Sequence, residues 1–489
     1  MGIIRNQSIK NSISLYIGIA IGAINTVLIF PHVFEDNVEY WGLLQILVSY
    51  SVIFSSFSHL GTPSILLRFF PKVNSKADLI SFSLILCAIG FVLFFLLFSL
   101  FKSYLLSYLD GSPLLLDNFH LVLVFVFCIT FFDVLSSLSR SFLDSATPVF
   151  LNEVFLRVCI FILLFIYKYD LISFNQFLVF YTSFYIVKLV LLAFYLWKKS
   201  RLTFAFSNPN SSVKEQIKYG LYVLTGGGAA ILVSRFDMLM IEYYLDLKQV
   251  AYYGLAFFIG SVIKIPARSL SSISSPLIAL AFDNKNVKEI ETIYKKSSIN
   301  LLLIGLIIFF CIWLNVDHIL LMLPEKFHHG KYVILFVGLA QIFNLATGVN
   351  GSIIINSDFY KFDMVLNVIL LVLTVVTNIL LIPIYGINGA ALATAISIFS
   401  YNLVKLLLVK FKLNIQPFSI KTITSILLFS VIYLIVYSIP LEGIHSLLII
   451  LIRCSFILIL CTFSILYFKL SEDVYDFCML LFRKAGFIK

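Results

Sequence analysis

Fourteen apolar stretches follow one another along this chain, each long enough to cross a bilayer as a helix of roughly 20 residues. Only 12% of the residues are charged, about half the share that is usual in soluble proteins. The sequence therefore predicts an all-α polytopic membrane protein with no separate soluble domain. Hydropathy places the spans at about 12–31, 40–63, 80–101, 118–139, 148–167, 175–197, 216–236, 249–269, 297–315, 332–353, 363–384, 388–409, 420–439 and 446–468.

The distribution of basic residues predicts which side each loop occupies. If the N-terminus is cytoplasmic, most of the 35 Lys and Arg residues fall in cytoplasmic segments. The outer loops then hold five: Lys102, Lys168, Lys248, Lys326 and Lys331. This asymmetry supports fourteen spans with both termini in the cytoplasm. It also makes the net charge of +10 a topology signal, so we expect no nucleic-acid partner.

An internal repeat divides the chain. The motif VEYWGL, which begins at Val38, recurs as VAYYGL from Val250, and this register aligns Asn25 with Asp237. Because six spans lie between the copies, the repeats enter the membrane from the same side. We predict two parallel six-helix bundles plus two additional C-terminal helices, with domains at 1–200, 201–412 and 413–489. Parallel halves around a central cavity suit alternating access.

Three segments carry a resemblance to a known superfamily. They are LGTP at 60–63 followed by LRFFP at 67–71, the pattern D-x3-I-x3-L-x4-V-x2-Y from Asp237 to Tyr253, and YGINGAALAT at 385–394. With the arrangement of six, six and two spans, the sequence resembles the multidrug/oligosaccharidyl-lipid/polysaccharide exporter superfamily. It is most similar to the polysaccharide-synthesis branch, the flippases for O-antigen and related lipid-linked oligosaccharides.

This resemblance implies a flippase that moves a polyprenyl-diphosphate-linked oligosaccharide across the bacterial inner membrane. The product would be O-antigen, capsule or another surface polysaccharide. Implied partners are the lipid-linked oligosaccharide, membrane lipids, protons or sodium as a coupling ion, a polysaccharide polymerase and chain-length proteins.

Two other transporter functions stay open: a multidrug or small-molecule cation-coupled exporter, and a lipid II flippase. The drug exporters place a functional acid in span 1, where this chain has only Asn25 as a strong polar group. The peptidoglycan-precursor flippases place extra basic residues in span 1, and none lies between Ser12 and Pro31. Both departures favour the polysaccharide branch.

Seven basic residues lie within predicted spans: Arg157, Lys188, Arg235, Lys264, Arg268, Lys405 and Arg453. Each costs about 2.5–3.5 kcal/mol at the centre of an isolated helix, so we expect these residues to have a function. Arg157, Lys188 and Lys264 are deepest. Lys264 and Arg268 are four residues apart around Pro266, a spacing that favours one helical face.

We predict a cationic cavity for a diphosphate and sugar headgroup, with Arg157, Lys188, Lys264, Arg268 and Arg235 as substrate-binding residues. For Arg235 and Arg268, which lie near the ends of their spans, snorkelling or local pairing is the alternative.

Three acids are candidates for ion coupling. Glu153 precedes Arg157 by one helical turn, so the pair is either the coupling device or a structural ion pair. Asp133, near the inner end of span 4, is the second candidate. Asp237 lies at the outer mouth of span 7.

The alternative to a transporter is a membrane enzyme: a glycosyltransferase, polymerase or acyltransferase. Such an enzyme needs a cluster of acid, base or metal ligands near one membrane face. The seven histidines lie mostly in short outer loops, and no nucleotide motif or cysteine pair at metal-ligand spacing occurs. We therefore predict no enzyme, no metal site and no cofactor.

Overall fold

The computed structural model describes residues 2–108, 112–199, 201–202, 205, 213–441, 443–476 and 479. The described part is helical and contains no strand. Thirteen of its helices are long and apolar enough to cross a membrane by length and composition. The chain forms two compact units, Met1–Ala251 and Tyr252–Lys489. The prediction of an all-helical polytopic membrane protein is therefore confirmed.

The described residues of the first unit form eleven α-helices and the start of a twelfth. They are α1 Gly2–Ala23, α2 Phe30–Val33, α3 Val38–Ser58, α4 Thr62–Phe69, α5 Lys76–Tyr108, α6 Pro113–Asn118, α7 Leu121–Ser141, α8 Ala146–Val149, α9 Leu156–Lys168, α10 Phe174–Lys198, α11 Val213–Tyr244 and α12 Leu247–Ser261. Two π-helical segments, Ile24–Ile29 and Phe150–Phe155, interrupt the first and fifth predicted spans.

Where the second unit is described, it continues from α12 with eight further α-helices. They are α13 Ile265–Asp283, α14 Val287–Leu314, α15 Val316–Leu321, α16 Lys331–Ala346, α17 Asn350–Asn356, α18 Lys361–Leu413, α19 Ile420–Tyr437 and α20 Ser446–Tyr467. The 3₁₀ segments Val262–Lys264 and Glu325–Gly330 precede α13 and α16.

The 53-residue helix α18 accommodates two of the predicted spans. Gly386 breaks it with φ 58° and ψ −137°, a backbone conformation that favours glycine. Beyond the break the chain turns back on itself. This follows from the position of Gly389, where a Cβ would lie 2.1 Å from the carbonyl oxygen of Leu381. In a straight helix these residues would be about 12 Å apart. Thirteen apolar helices therefore provide the fourteen predicted spans.

The repeated motif occupies equivalent positions in its two copies. Val38, Trp41 and Leu43 are fully buried near the start of α3, and so are Val250, Tyr253 and Leu255 near the start of α12. Both motif copies therefore use the same residues for packing. Asn25 and Asp237, which the repeat aligns, are both buried too.

Each unit has its own apolar core. In the first unit, buried side chains of α4, α5, α7 and α10 pack together. In the second, α19 and α20 pack on α14 through Phe429, Ile457 and Cys461 against Leu302 and neighbouring residues of α14. The two additional C-terminal helices are thus part of the second unit's core.

Candidate functional site

An ion pair inside the first unit joins two of the predicted site residues. Glu153 lies in the π-helical segment Phe150–Phe155, and Arg157 lies in the first turn of α9. Arg157 Nη2 is 2.7 Å from Glu153 Oε2. A π-helical turn carries one more residue than an α-helical turn, and such bulges occur frequently at functional sites. Here the bulge lies directly beside the pair.

Helix α1 and the π-helical segment Ile24–Ile29 that follows it supply the other partners of Arg157. Its Nη1 donates a hydrogen bond to the carbonyl oxygen of Gly18, and its own carbonyl oxygen accepts one from Asn25 Nδ2 at 2.9 Å. A Cβ on Gly22 would lie 2.7 Å from Arg157 Nη1. The absence of side chains at Gly18 and Gly22 therefore lets span 1 approach the guanidinium closely.

Lys188 extends this ion pair into a network. Its Nζ donates to Asn152 Oδ1 at 3.0 Å, and Asn152 Nδ2 donates to Glu153 Oε1 at 3.1 Å. Lys188 is only 3% exposed, and its ammonium lies 4.3 Å from the ring centroid of Phe132. The buried ammonium thus has one amide oxygen and the aromatic rings of Phe132 and Tyr185 as direct partners.

Asp133 on α7 also interacts electrostatically with Lys188. Four of the predicted residues, Arg157, Lys188, Glu153 and Asp133, therefore meet in the first unit. We call them, with Asn152, the α9–α10 network. Sequence reasoning missed Asn152, although its position next to Glu153 was a usable signal.

Arg235 and Asp237 lie on α11, also in the first unit. Arg235 interacts electrostatically with the hydroxyls of Tyr181 and Tyr185 on α10, and Tyr185 also borders the Lys188 ammonium at 4.9 Å. Asp237 is buried. A further charged residue of α11, Glu242, was not predicted as a site residue; it is buried and accepts a hydrogen bond from Ser112 Oγ at 3.0 Å.

Lys264 and Arg268 belong to the second unit. The predicted weakening of the helix at Pro266 takes the form of a local change of helix type: α12 ends at Ser261, and α13 begins at Ile265. The 3₁₀ segment Val262–Lys264 lies between them, so the two basic residues do not share one regular helix. Lys264 is half-buried, whereas Arg268 is exposed.

The second unit also contains a buried ion pair that was not predicted. Lys405 Nζ lies 2.9 Å from Asp363 Oδ1, and the Lys405 side chain is 7% exposed. Both residues belong to the two arms of α18, and Asn367 and Tyr401 join these arms through a hydrogen bond of 2.7 Å. Lys405 was recognised as a basic residue within a span, but its partner is distant in sequence.

Metal ligands do not cluster in the described part of the chain. It contains no group of three His, Cys, Asp or Glu side chains placed to hold an ion. His328, half of the adjacent histidine pair, hydrogen-bonds to the carbonyl oxygen of Leu320 at 2.7 Å. Cys478 lies outside the described residues.

Comparisons with known proteins give one partial family match and several similar folds. The MatE family model matches residues 229–380. No curated protein matches the sequence. The fold is similar to that of the lipid II flippase MurJ in an inward closed conformation, with a TM-score of 0.76 and 16% identity over 94% of this chain and 99% of that chain.

Multidrug transporters have similar folds. An inward-facing multidrug resistance MATE transporter of the MOP superfamily gives a TM-score of 0.63 and 16% identity over 82% of this chain and 94% of that chain. The Vibrio cholerae MATE transporter VcmN in its bent form gives 0.54 and 13% over 85% and 98%. The chain therefore has the fold of MurJ and MATE transporters. The family match and the fold together support the MOP exporter superfamily and a membrane flippase or exporter.

Proposed function

We propose that this protein is a flippase for a polyprenyl-diphosphate-linked oligosaccharide and works by alternating access in the bacterial inner membrane, with both termini cytoplasmic. It would supply the synthesis of O-antigen, capsule or another surface polysaccharide. The observation that carries the proposal is the placement of Arg157 and the buried Lys188 in one partly buried network within a transporter fold. Cations inside a membrane protein are expensive and mark substrate pathways.

The chemistry of the network suits a diphosphate. Arg157 offers a planar guanidinium that can bind phosphate oxygens in pairs, and Lys188 offers a compact ammonium. Both cations are at present satisfied by Glu153, Asn152 and the Gly18 carbonyl. A diphosphate would compete with these internal acceptors, so binding and rearrangement of the network would be linked.

Lys264, Arg268 and Arg235 complete the proposed substrate-binding set. Lys264 ends the 3₁₀ turn between α12 and α13, where the backbone departs from regular α-helical geometry. A 3₁₀ stretch within a helix often marks a functional hinge. The proposed halves are residues 1–200 and 201–412, each with cations assigned to substrate binding, and residues 413–489 stand outside the repeat.

Glu153 is the proposed coupling acid, with Asp133 and Asp237 as the next candidates. Glu153 holds Arg157 while it is ionised and would release it on protonation. Binding of a proton or sodium ion at this carboxylate would then free Arg157 to bind the substrate, and loss of that ion would restore the Arg157–Glu153 pair. We propose neither a cofactor nor a catalytic reaction. A polymerase and chain-length proteins would use the product at the outer face.

Translocation into reconstituted vesicles tests the proposal. Lys264→Ala should reduce outward transfer of a polyprenyl-diphosphate oligosaccharide by about tenfold or more, since one lost charge contact is equivalent to about 1.4 kcal/mol. Lys264→Arg should keep more activity because the charge survives. Lys248→Ala, a matched loss of an outer-loop cation, should leave the rate unchanged. Wild-type transfer by Lys264→Ala would remove Lys264 from the mechanism.

A lipid II flippase is the second candidate, favoured by the similarity of the fold to MurJ. Both substrates have a polyprenyl diphosphate, so the cation network suits either one. Parallel vesicle assays with lipid II, a lipid-linked oligosaccharide and a cationic drug separate the candidates. Transfer of lipid II alone would overturn the polysaccharide assignment, and transfer of the drug alone would overturn both flippase functions.

A further inference from the structure

A cavity of about 620 Å³ opens at one end of the first unit, and no residue of the α9–α10 network lines it. It forms where the start of α1, the connection at 142–145 with α8, and the end of α10 come together. The basic-residue asymmetry predicts that these three segments are all cytoplasmic. The cavity therefore belongs to the level of the lipid headgroups at the predicted inner face.

The lining carries an excess of positive charge. Three basic residues, Lys10, Lys199 and Arg201, surround a single carboxylate, Asp144. Arg201 Nη1 is 3.1 Å from Asp144 Oδ2, so these two neutralise each other. Lys10 and Lys199 are exposed and form no ion pair with a described residue. The cavity consequently presents two unneutralised ammonium groups.

The Asp144 carboxylate is held in place by hydrogen bonds from residues of the cavity wall. It accepts hydrogen bonds from the Tyr195 hydroxyl and from Thr147 Oγ1 at 3.1 Å, in addition to Arg201. Gln7 Oε1 accepts the backbone N–H of Ala146 at 3.0 Å and fixes α1 against the same connection. The Lys199 ammonium packs on the Tyr195 ring, 4.7 Å from its centroid, but these hydrogen bonds of the wall use neither Lys10 nor Lys199.

One side of the cavity is apolar and faces outward. Ile13, Leu143 and Phe150 line it while 53%, 65% and 49% of their respective surfaces remain exposed. In a bilayer such side chains contact hydrocarbon, whereas lysine ammonium groups at the end of a span reach the headgroups. Basic pockets between transmembrane helices on the cytoplasmic side bind anionic headgroups.

We infer that this cavity binds the phosphate headgroup of an anionic membrane lipid, with Lys10 and Lys199 on the phosphate and Ile13, Leu143 and Phe150 against the acyl chains. A free phosphate could use the two ammonium groups but would gain nothing from the apolar side. The combination of both surfaces favours the lipid. The lipid site is separate from the proposed transport site. The inference therefore does not depend on which substrate the protein carries.

Native mass spectrometry of the full chain, delipidated in neutral detergent and titrated with phosphatidylglycerol, tests this site. The wild type should retain phosphatidylglycerol in preference to phosphatidylcholine. The double variant Lys10→Gln/Lys199→Gln should weaken retention by about tenfold or more, since it removes both cations. Lys198→Gln is the matched control, because Lys198 is exposed and adjacent but does not line the cavity; its retention should equal that of the wild type.

Inorganic phosphate distinguishes the two sources of the anion. It should not displace phosphatidylglycerol at millimolar concentration; equal competition would show a free-anion site and overturn the lipid assignment. Wild-type retention by the double variant, or an equal loss in Lys198→Gln, would also overturn it. If the double variant does not fold, Lys10→Gln alone provides the test, since it removes an exposed cation and should still weaken retention severalfold.

Discussion

Glu153 lies between two basic groups, which makes it the most informative single residue to change. One carboxylate oxygen pairs with Arg157, and the other accepts from Asn152, the partner of Lys188. Glu153→Gln keeps the shape and most hydrogen bonds but removes the charge. We predict that this variant still binds the lipid-linked oligosaccharide but loses the pH dependence of translocation, measured in vesicles across a range of pH.

Two controls separate coupling from folding. Asp133→Asn should keep the normal pH response, because Asp133 is not bonded to Arg157. A normal response in Glu153→Gln would instead move the coupling role to Asp133. If Glu153→Gln lowers the melting temperature sharply and abolishes binding, the pair is structural.

Asp144 gives a second prediction at this scale, on stability. Burial alone would raise the pKa of its carboxyl, but hydrogen bonds from Tyr195, Thr147 and Arg201 outweigh burial, so the pKa lies below its ordinary range. A lowered pKa stabilises the folded state above about pH 4, and this contribution is lost as the pH falls through the lowered value.

Asp144→Asn should therefore lower the melting temperature at pH 7, and the difference from the wild type should shrink in acid below about pH 4. Asp170→Asn, at an exposed carboxylate, should change the melting temperature little at either pH. An equal effect of both substitutions would contradict the assigned hydrogen bonds.

At the scale of helices, α3 can approach the start of α12 closely because the repeated motif has a glycine, Gly42, at the contact. A Cβ on Gly42 of α3 would lie 1.8 Å from the carbonyl oxygen of Leu247, a backbone atom that cannot move aside cheaply. Gly42→Ala should therefore separate α3 from the start of α12 and lower the yield of folded protein. Fluorescence-detected size exclusion and thermal melting measure this.

Gly227→Ala is the matched substitution within a transmembrane helix. Its Cβ would meet nothing within 4 Å, so only the backbone propensity changes. Alanine is about 0.8–1.0 kcal/mol more favourable than glycine in a helix interior, which predicts equal or greater stability. If both alanine variants behaved alike, the close contact at Gly42 would not limit packing.

Local and periodic features were predictable from sequence, and long-range pairings were not. Length and hydropathy predicted the spans, and the one-turn spacing predicted that Glu153 could pair with Arg157. The partner of Lys405 required knowledge of how α18 folds back at Gly386. The π-helical segments were also missed, because nothing in the apolar pattern distinguishes them from an α-helix.

For the whole molecule, the charge distribution makes a topological prediction. Cysteines introduced in the segments 198–218 and 285–296, in a background without the seven native cysteines, should react with a membrane-impermeant reagent only from the cytoplasm. A cysteine at Lys168, in a predicted outer loop, is the control and should react from the opposite side. Reaction of either basic segment with reagent added from the outer side would contradict the proposed topology.

The Lys405–Asp363 pair cannot form during biosynthesis until both residues have been synthesised. Asp363 begins the first arm of α18, and Lys405 emerges from the ribosome 42 residues later. At about 5–20 residues per second, the carboxylate waits about 2–8 s for its counter-ion. During that interval the first arm carries an uncompensated charge, so stable integration favours entry of both arms together as a hairpin. A sharp turn at Gly386, with almost no connecting loop, makes such joint entry possible.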